Sequence, residues 1–327
     1  MEQTTPALIT EVTRIYAYNH TYQEYCVMEK TILRWLNVIT EVVGLAGNAA
    51  VVWFLGFRIL RNAISVYILN LAVADFLYLC FQLIYSLIEL IIDFHNSMIY
   101  VPYVSYFVIY YFHTAGLSFL SVISLERCLS VLCPIWYWLR RPKHVSSFMC
   151  LLVWVILLMF TVLQFYYCAG WGDLSYRNWC QFFRCSHYAF LGFLLSLLTG
   201  SILVLAVRMF CGSKRMSLTR LYVTILLTVL VFIFCGLPYC LSWLLIEARE
   251  IDIYVFSCYF IRLMVFLSCV NSCANPIIYF FVGSFRQPQR QTLKQVLQRA
   301  LQDTPEDNER RGRLSQGTLE MSRRAEQ

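Results

Sequence analysis

Ionisable and amide side chains lie inside stretches of this sequence that are otherwise apolar. Asp75 stands in the middle of one stretch, Glu126 and Arg127 end the next, and Asn271 and Asn275 lie in the last. A charge in hydrocarbon is costly unless it is paired or hydrated, so these residues must meet one another or water inside a bundle. Two interpretations stay open: a hydrated polar core that rearranges between two states, or a cluster that only holds helices together.

Histidine and cysteine are also present, but their spacing does not assemble a catalytic site. The histidines are scattered over different segments, and the apolar stretches contain no His-x-x-x-His, Cys-x-x-Cys or Gly-x-Ser-x-Gly pattern. Metal-dependent and nucleophilic catalysis usually shows such local groupings. The sequence therefore predicts a protein that is not an enzyme and that needs no cofactor and no metal.

The apolar stretches that position these residues are long enough to cross a bilayer. Apolar residues make up 59% of the 327 positions and charged residues only 14%, whereas a soluble domain carries about 25% charged residues. A spanning helix needs about 20 apolar residues, while barrel strands alternate over about ten. The sequence predicts an all-α membrane protein, a seven-transmembrane helix bundle with a short amphipathic eighth helix. Its spans lie near 35–57, 63–91, 101–132, 147–168, 183–210, 220–246 and 255–282.

Lysine and arginine are concentrated in alternate connections between the spans. The positive-inside rule places the N-terminus outside the cell and the C-terminus in the cytosol of a multi-pass plasma-membrane protein. Asn19, in Asn19-His20-Thr21, lies in the outer segment and is predicted to be glycosylated. The net charge of +7 is attributed to a basic inner face that meets anionic lipid and an intracellular partner, not nucleic acid. The basic positions are Arg58, Arg61, Arg140, Arg141, Lys143, Arg208, Lys214, Arg215, Arg286, Arg290 and Lys294.

The chain divides into four segments along this topology. Residues 1–33 are predicted to form an extracellular N-terminal segment and residues 34–283 the seven-transmembrane bundle. Residues 284–300 are predicted to be an amphipathic cytoplasmic helix whose arginines and lysine face lipid phosphates. Residues 301–327 are charged and poor in large apolar side chains, which predicts a disordered cytoplasmic tail.

Two prolines interrupt the last two spans near possible switch residues. Pro276 removes one backbone hydrogen bond and is predicted to give Tyr279 a hinge. Pro238, close to Gly236, does the same in the sixth span. Two neighbouring kinked helices are predicted to form a two-state element.

The order and spacing of these motifs resemble the rhodopsin-like G-protein-coupled receptors over about residues 30–300. The motifs are Gly47-Asn48, Asp75, Glu126-Arg127-Cys128, Trp154, Pro238 and Asn275-Pro276-Ile277-Ile278-Tyr279. Four longer stretches resemble the Mas-related receptors more specifically. They cover residues 61–67, 129–137, 218–225 and 274–286.

The resemblance implies a receptor that binds a peptide or a small amphiphilic ligand and activates heterotrimeric G proteins, mainly Gq and also Gi. It further implies sensory or mast-cell signalling, with arrestin and receptor kinases as additional partners and membrane lipid around the bundle. Arg127, paired with Glu126 at rest, would meet an inserted G-protein helix when the sixth span swings outward. A transporter should show internal repeats and a channel a ring of charges or carbonyls, and neither signal is present.

Two departures from the general receptor pattern predict an unusual outer face. Residues 86–127 contain no cysteine, so the disulfide that most such receptors form at the top of the third span cannot form. Cys168 and Cys180 match the pair that links spans four and five in Mas-related receptors, and Cys26 with Cys258 is a weaker second pair. Gly236 occupies the place where most receptors carry a ligand-sensing tryptophan. Together these features predict a broad, shallow pocket open to solvent.

The charge of the ligand is the least determined property. Gln164 and Arg184 match an acidic pair that grips cations in several Mas-related receptors, so that cation site is absent. Arg184 and Arg262 could instead hold a carboxylate or sulfate, or both could extend to the lipid headgroups. Acidic residues around the outer mouth still allow a cationic peptide to dock. Predicted pocket walls are Tyr106, Tyr110, Trp243 and Tyr254, and His113 is either a pocket residue or a hydrogen-bonded interior residue.

Overall fold

The computed structural model describes residues 31–59, 63–95, 104–133, 135, 137, 142, 144–168, 174–211, 220–247, 260–284 and 292–301. Within these ranges the secondary structure is helical, without strands, and seven helices are long and apolar enough to cross a membrane. The predicted all-α seven-helix fold is confirmed. The helices are α1 Thr31–Arg58, α2 Ala63–His95, α3 Val104–Leu132, α4 Val145–Cys168, α5 Leu174–Cys211, α6 residues 220–247, α7 Phe260–Ser284 and α8 Leu293–Ala300.

Helix α5 begins well ahead of its predicted span. It starts at Leu174, whereas the apolar stretch suggested a start near 183. The additional turns include the polar residues Arg177 and Asn178. Hydropathy locates the part of a helix that lies in lipid, but a helix can continue beyond the lipid with polar residues.

The core of the bundle lies where α2 and α3 meet their neighbours. Tyr67 and Tyr78 of α2 and Phe119 of α3 are among the largest fully buried side chains. Helix α4 is peripheral, since most of its long side chains are exposed and only Ser146, Cys150 and Leu157 are buried. It is anchored to α2 by the Trp154 indole, whose Nε1 donates to Asn70 Oδ1 at 2.9 Å.

Helix α1 approaches α2 and α7 closely because it has glycine at the contact. A Cβ atom at Gly44 would lie 2.6 Å from Cδ1 of Leu79 and 3.2 Å from Cβ of Cys273. Small residues allow such close packing between membrane helices, where dispersion contacts rather than hydrophobicity hold the helices together.

The two proline-containing helices accommodate their missing backbone donors differently. In α7, Pro276 leaves the carbonyl of Ser272 without its helical donor, and Asn48 of α1 supplies one, with its Nδ2 at 3.1 Å from that oxygen. In α6, a π-helical turn, Phe232–Gly236, precedes Pro238, and the Leu237 amide donates to the Phe232 carbonyl. Such local π turns often mark functional sites.

Helix α8 is a short element that packs on the bundle. Thr292 and Gln295 form one arm of a capping box, since the Thr292 amide donates to Gln295 Oε1 at 3.3 Å. Val296 and Leu297 are buried, and α8 contacts α6 and α7. Its apolar face therefore meets protein, and the predicted contact of its charged residues with lipid phosphates stays a prediction. The remainder of the predicted 284–300 helix, residues 285–291, lies outside the described ranges.

Candidate functional site

Asp75 is the centre of a buried polar cluster between α2 and α7. Its carboxylate accepts hydrogen bonds from Ser272 Oγ at 2.8 Å and from Asn275 Nδ2 at 2.7 Å. Both donors stand on α7, at positions that share one face of a helix. Asp75 is 4% exposed, so the two hydrogen bonds replace the water that the carboxylate would otherwise need.

Asn271 does not take the place beside Asp75 that the sequence suggested. Its side chain lies near α6 instead, because a Cβ atom at Gly236 would be 3.3 Å from Cγ of Asn271. Consecutive residues on a helix are turned by about 100° from each other. When Ser272 and Asn275 both face Asp75, Asn271 is therefore directed toward the neighbouring helix.

Asn48 connects α1 to the same region of α7. Its Nδ2 donates to Gly44 O at 3.0 Å as well as to Ser272 O. A Cβ atom at Gly47 would lie 3.0 Å from Cβ of Pro276. Gly47 thus provides space for Pro276, and Asn48 provides a hydrogen-bond donor to the turn that precedes it.

A polar ladder extends from Asp75 toward the other end of the bundle along α2 and α7. Tyr78 donates from its hydroxyl to Ser268 Oγ at 3.0 Å. Farther along, Ser86 donates to Oε1 of Glu41 on α1 at 3.0 Å, and Cys269 of α7 donates to the same oxygen at 3.7 Å. Glu41 is 0% exposed, so a carboxyl group from α1 completes a layer in which three helices meet.

The ladder ends in a charged cluster at the end of the bundle opposite Arg127. Arg262 of α7 donates to both carboxylate oxygens of Glu89 of α2, with Nη2 at 3.0 Å from Oε1. Nε of Arg34, on α1, lies 3.6 Å from Oε2 of the same carboxylate. One carboxylate therefore holds two guanidinium groups and joins three helices.

This geometry gives Arg262 a partner within the chain that the sequence did not predict. The sequence suggested that Arg262 and Arg184 together bind an anion, but Arg262 is engaged in a two-pronged ion pair with Glu89. Fork-to-fork pairing of this kind is among the strongest charged contacts. Arg262 therefore belongs to the ladder in this conformation, and anion binding by Arg262 and Arg184 stays a prediction.

Arg34 and Glu41 were missed by the sequence analysis, although a signal was present. Both are charged residues of the first apolar helix, and the rule that singled out Asp75 applies to them equally. Their spacing places them on one face of α1 together with Asn37, and all three are buried. The polar face of α1 was hidden by the high average hydropathy of the whole span.

Gln164 and Arg184 lie one helical turn away from a disulfide. Cys168 and Cys180 are bonded, as predicted, with their Cα atoms 4.9 Å apart. Gln164 precedes Cys168 by four residues in α4, and Arg184 follows Cys180 by four residues in α5. Residues four apart share a helix face, so the disulfide brings Gln164 and Arg184 to one level of the bundle.

Removing the disulfide is expected to have a modest effect on stability. Cys168→Ser and Cys180→Ser should each lower the free energy of unfolding by about 1 kcal/mol, below the ~3 kcal/mol expected for a similar loop in a soluble chain. The effect is smaller because α4 and α5 stay inserted in the denatured state, which keeps their ends close. Thermal unfolding in detergent would measure it. A double mutant clearly less stable than either single mutant would contradict a simple cross-link.

Aromatic and histidine side chains of α2, α3, α5 and α6 meet in the middle of the bundle. The ring centroid of His113 lies 5.4 Å from that of Tyr78 and 4.8 Å from that of Tyr239. The Tyr110 ring is 4.5 Å from the ring of His187. His113 is 7% exposed, which fits the interior interpretation that the sequence left open.

The other residues predicted to line a pocket lie on different helices or outside the described part of the chain. Tyr106 is 45% exposed, and its hydroxyl lies 3.3 Å from that of Tyr85. His187, which the sequence did not single out, has Nε2 at 3.4 Å from Thr114 Oγ1. Trp243 belongs to α6. The predicted residues Asn19, Cys26, Tyr254 and Cys258 lie outside the described part of the chain.

At the opposite end, the Glu126–Arg127 motif is buried against its neighbours. Glu126 accepts a hydrogen bond from the Tyr67 hydroxyl of α2 at 3.0 Å. Arg127 is 3% exposed, and its carbonyl accepts from Ser130 Oγ at 2.8 Å. Tyr279 is likewise 3% exposed. In this conformation the bundle therefore encloses three of the residues that the sequence assigned to signal transmission, namely Glu126, Arg127 and Tyr279.

Gly236 lies in the π turn of α6 at a point of close contact. A Cβ atom there would lie 2.5 and 2.7 Å from two ring carbons of Phe232, which is itself 2% exposed. The absence of a side chain at Gly236 makes room for the Phe232 ring. The resemblance places a tryptophan at this position in most receptors, and here a phenylalanine from the preceding turn occupies the space beside Gly236.

Comparison with known proteins agrees with the motifs and the geometry. The chain matches the family 7 transmembrane receptor (rhodopsin family) over residues 47–279. It is 49% identical over 327 residues to Mas-related G-protein coupled receptor member X2 of Macaca mulatta, covering 99% of each chain. It is 48% identical over 326 residues to the receptor of that name from Homo sapiens, again covering 99% of each chain.

These relatives are receptors, which confirms the prediction that the chain is not an enzyme. Three features of the structure agree with this relationship. They are the buried Asp75 that accepts a hydrogen bond from the proline-containing α7, the enclosed Glu-Arg motif, and the disulfide between α4 and α5. The chain belongs to the rhodopsin family of seven-transmembrane receptors and, within it, to the Mas-related G-protein-coupled receptors.

Proposed function

We propose that this receptor binds a peptide or a small amphiphilic ligand at the Glu89–Arg262 end of the bundle and activates a G protein at the Arg127 end. The proposal rests on sequence identity: the chain is 49% identical to a Mas-related receptor over almost the full length of both proteins. The ligand end is extracellular and the Arg127 end is cytoplasmic, so the receptor is oriented with its N-terminus outside the plasma membrane. The basic connections of the sequence support this orientation.

The orientation has a direct test at Asn19. Enzymatic removal of N-linked glycans is expected to increase the electrophoretic mobility of the wild-type receptor from mammalian cells, because the acceptor tripeptide would face the secretory lumen. Asn19→Gln should migrate like the deglycosylated protein before treatment. A wild-type receptor whose mobility is unchanged by the enzyme would count against glycosylation of this segment.

Gq, and also Gi, are the proposed transducers, with roles in sensory or mast-cell signalling. Arrestin and receptor kinases would act at the cytoplasmic face, and anionic lipid would surround the basic connections. Family membership supports the coupling, and the enclosed Arg127 supports a conformational step before the G protein binds.

Arg184 points to the class of ligand. It stands where several Mas-related receptors carry an acidic residue, and with Gln164 it would present a guanidinium and an amide one turn from the disulfide. A guanidinium fork suits a carboxylate or sulfate. An anionic or neutral amphiphile is therefore proposed for this site, and a cationic peptide docking on the acidic rim is the alternative outcome.

Calcium release in cells that express the receptor tests the proposal. The probes are matched amphiphiles that carry a sulfate, a carboxylate or an ammonium head, together with cationic peptides. Wild-type receptor should respond to the anionic probes, and Arg184→Asp should shift the response toward the cationic ones by at least about tenfold, the value of 1.4 kcal/mol in binding. Gln164→Glu is the companion variant. A wild type that responds only to cations would overturn the anion assignment.

A further inference from the structure

The Arg127 end of the bundle holds a short amphipathic helix where a signalling partner must act. Leu297 of α8 is 0% exposed, and Val296, Ala300 and Leu301 are also buried. Leu297, Ala300 and Leu301 belong to the same buried apolar cluster as Ile225 of α6 and Tyr279 of α7. Residues at positions i, i+3 and i+4 form one face of a helix, so α8 presents its apolar face to the bundle.

A long polar contact also joins α8 to α6. The hydroxyl of Thr224 donates to the carbonyl of Ala300 at 3.5 Å, and Thr224 is 1% exposed. Carbonyls in the last turn of a helix have no partner within the helix. Thr224 thus supplies a donor at the C-terminal end of α8 from the first turns of α6.

The start of α8 has a capping contact of its own. Helix α7 ends at Ser284, and the Thr292–Gln295 capping contact begins α8. The intervening sequence contains Pro288, which cannot donate a backbone hydrogen bond. The sequence therefore favours two separate helices, and α8 can be placed against α6 and α7 independently of the axis of α7.

We infer that the crevice between the Arg127 ends of α6 and α7 is a docking surface for a short amphipathic helix, and that residues 292–301 of this chain occupy it and hold α6 against α7. This inference rests on the proposed function, in which α6 must move outward before a G protein can bind. Outward movement of α6 carries Thr224 and Ile225 away from α8. Insertion of the G-protein helix therefore competes with the contact between α6 and α8. Release of α8 is then a step of activation.

The experiment compares two leucines of α8 in the full-length receptor. Leu297→Asp places a charge in the buried face, whereas Leu293→Asp is the matched control, since Leu293 is 56% exposed. Binding of a non-hydrolysable GTP analogue to added Gαq or Gαi is measured in membranes without agonist, at equal surface expression. Leu297→Asp should raise it about fivefold, the lower end of typical allosteric coupling, and Leu293→Asp should stay within about twofold of wild type.

A milder variant and a synthetic peptide provide two further measurements for the case that Leu297→Asp folds poorly. Leu297→Ala removes packing without adding charge and should raise nucleotide binding less, but in the same direction. A synthetic peptide of residues 292–301 should lower the raised binding, and the same peptide with the Leu297→Asp change should not. Nucleotide binding in Leu297→Ala that equals wild type would overturn the inference.

The contact itself is tested without reference to signalling. Oxidation of the Thr224→Cys/Ala300→Cys double variant should yield an intramolecular disulfide, and Thr224→Cys alone should not. If the disulfide forms but the α8 variants do not change nucleotide binding, α8 packs as described without restraining the receptor. The proposed function fails if neither the wild type nor any variant promotes nucleotide binding, even with the amphiphiles and cationic peptides added. In that case the cross-link still decides whether α8 packs against α6.

Discussion

Glu89→Ala is expected to destabilise the receptor by about 3 kcal/mol, the lower end of the range for breaking a buried ion pair by removing one partner. Without this carboxylate, Arg34 and Arg262 remain as two cations at the same place, because Glu89 contacts both. The side chains are partly accessible, with 17% of Glu89 and 23% of Arg262 exposed, which keeps the expected loss at that lower end.

Arg262→Ala should be less damaging than Glu89→Ala, because Arg34 still balances the carboxylate. The double variant should lose less stability than the sum of the single variants, by about 1–2 kcal/mol. Thermal unfolding of purified receptor in detergent, at low and at moderate salt, measures all three. Equal losses from the two single variants would show that Glu89 does not serve both arginines.

The same variants separate a structural role from ligand binding. If Arg262 acts through Glu89, then Glu89→Ala and Arg262→Ala should change the response to sulfate and carboxylate amphiphiles in the same direction. If Arg262 held the ligand anion, only Arg262→Ala would remove that response, and Glu89→Ala would strengthen it by freeing the arginine. The ion pair in the structure favours the first outcome.

Much of the fold was predictable from the sequence because lipid imposes a strong constraint. The seven spans, the disulfide between Cys168 and Cys180 and the proximity of Asp75 to Asn275 could all be expected from hydropathy or from motif resemblance. The resemblance provided the disulfide, since apolar periodicity carries no information on which cysteines pair. Asp75 followed from the physical cost of an intramembrane charge.

The partners of the charged residues across helices were not predictable to the same degree. Whether Arg262 meets Glu89 or a ligand depends on how each helix is rotated and displaced along its axis, and hydropathy does not determine either quantity. The choice of Ser272 over Asn271 beside Asp75 depends on a rotation of about 100°. The docking of α8 on α6 could not be read from the local sequence, because Thr224 of α6 lies 76 residues away from its contact Ala300.

Gly236→Ala is expected to destabilise the receptor by about 3 kcal/mol, the upper end of the usual range for overpacking. The added Cβ atom would lie 2.5 Å from a ring carbon of Phe232, and this ring cannot retreat easily because it is 2% exposed. Gly192→Ala in α5 is the matched control, since a Cβ atom there meets nothing within 4 Å. That variant should be neutral or more stable by up to about 1 kcal/mol, because alanine favours helices over glycine.

A second substitution tests whether Phe232 is the cause of that loss. Phe232→Ala removes the ring and should itself cost about 3 kcal/mol through the cavity it leaves. In Phe232→Ala/Gly236→Ala the new methyl group enters vacated space, so the double variant should be only as unstable as Phe232→Ala alone. Losses that simply add would mean that another neighbour, such as Asn271, resists the methyl group. Non-additivity would identify Phe232 as the side chain that fills the space beside Gly236, and it would make the π turn of α6 the place to look for conformational coupling.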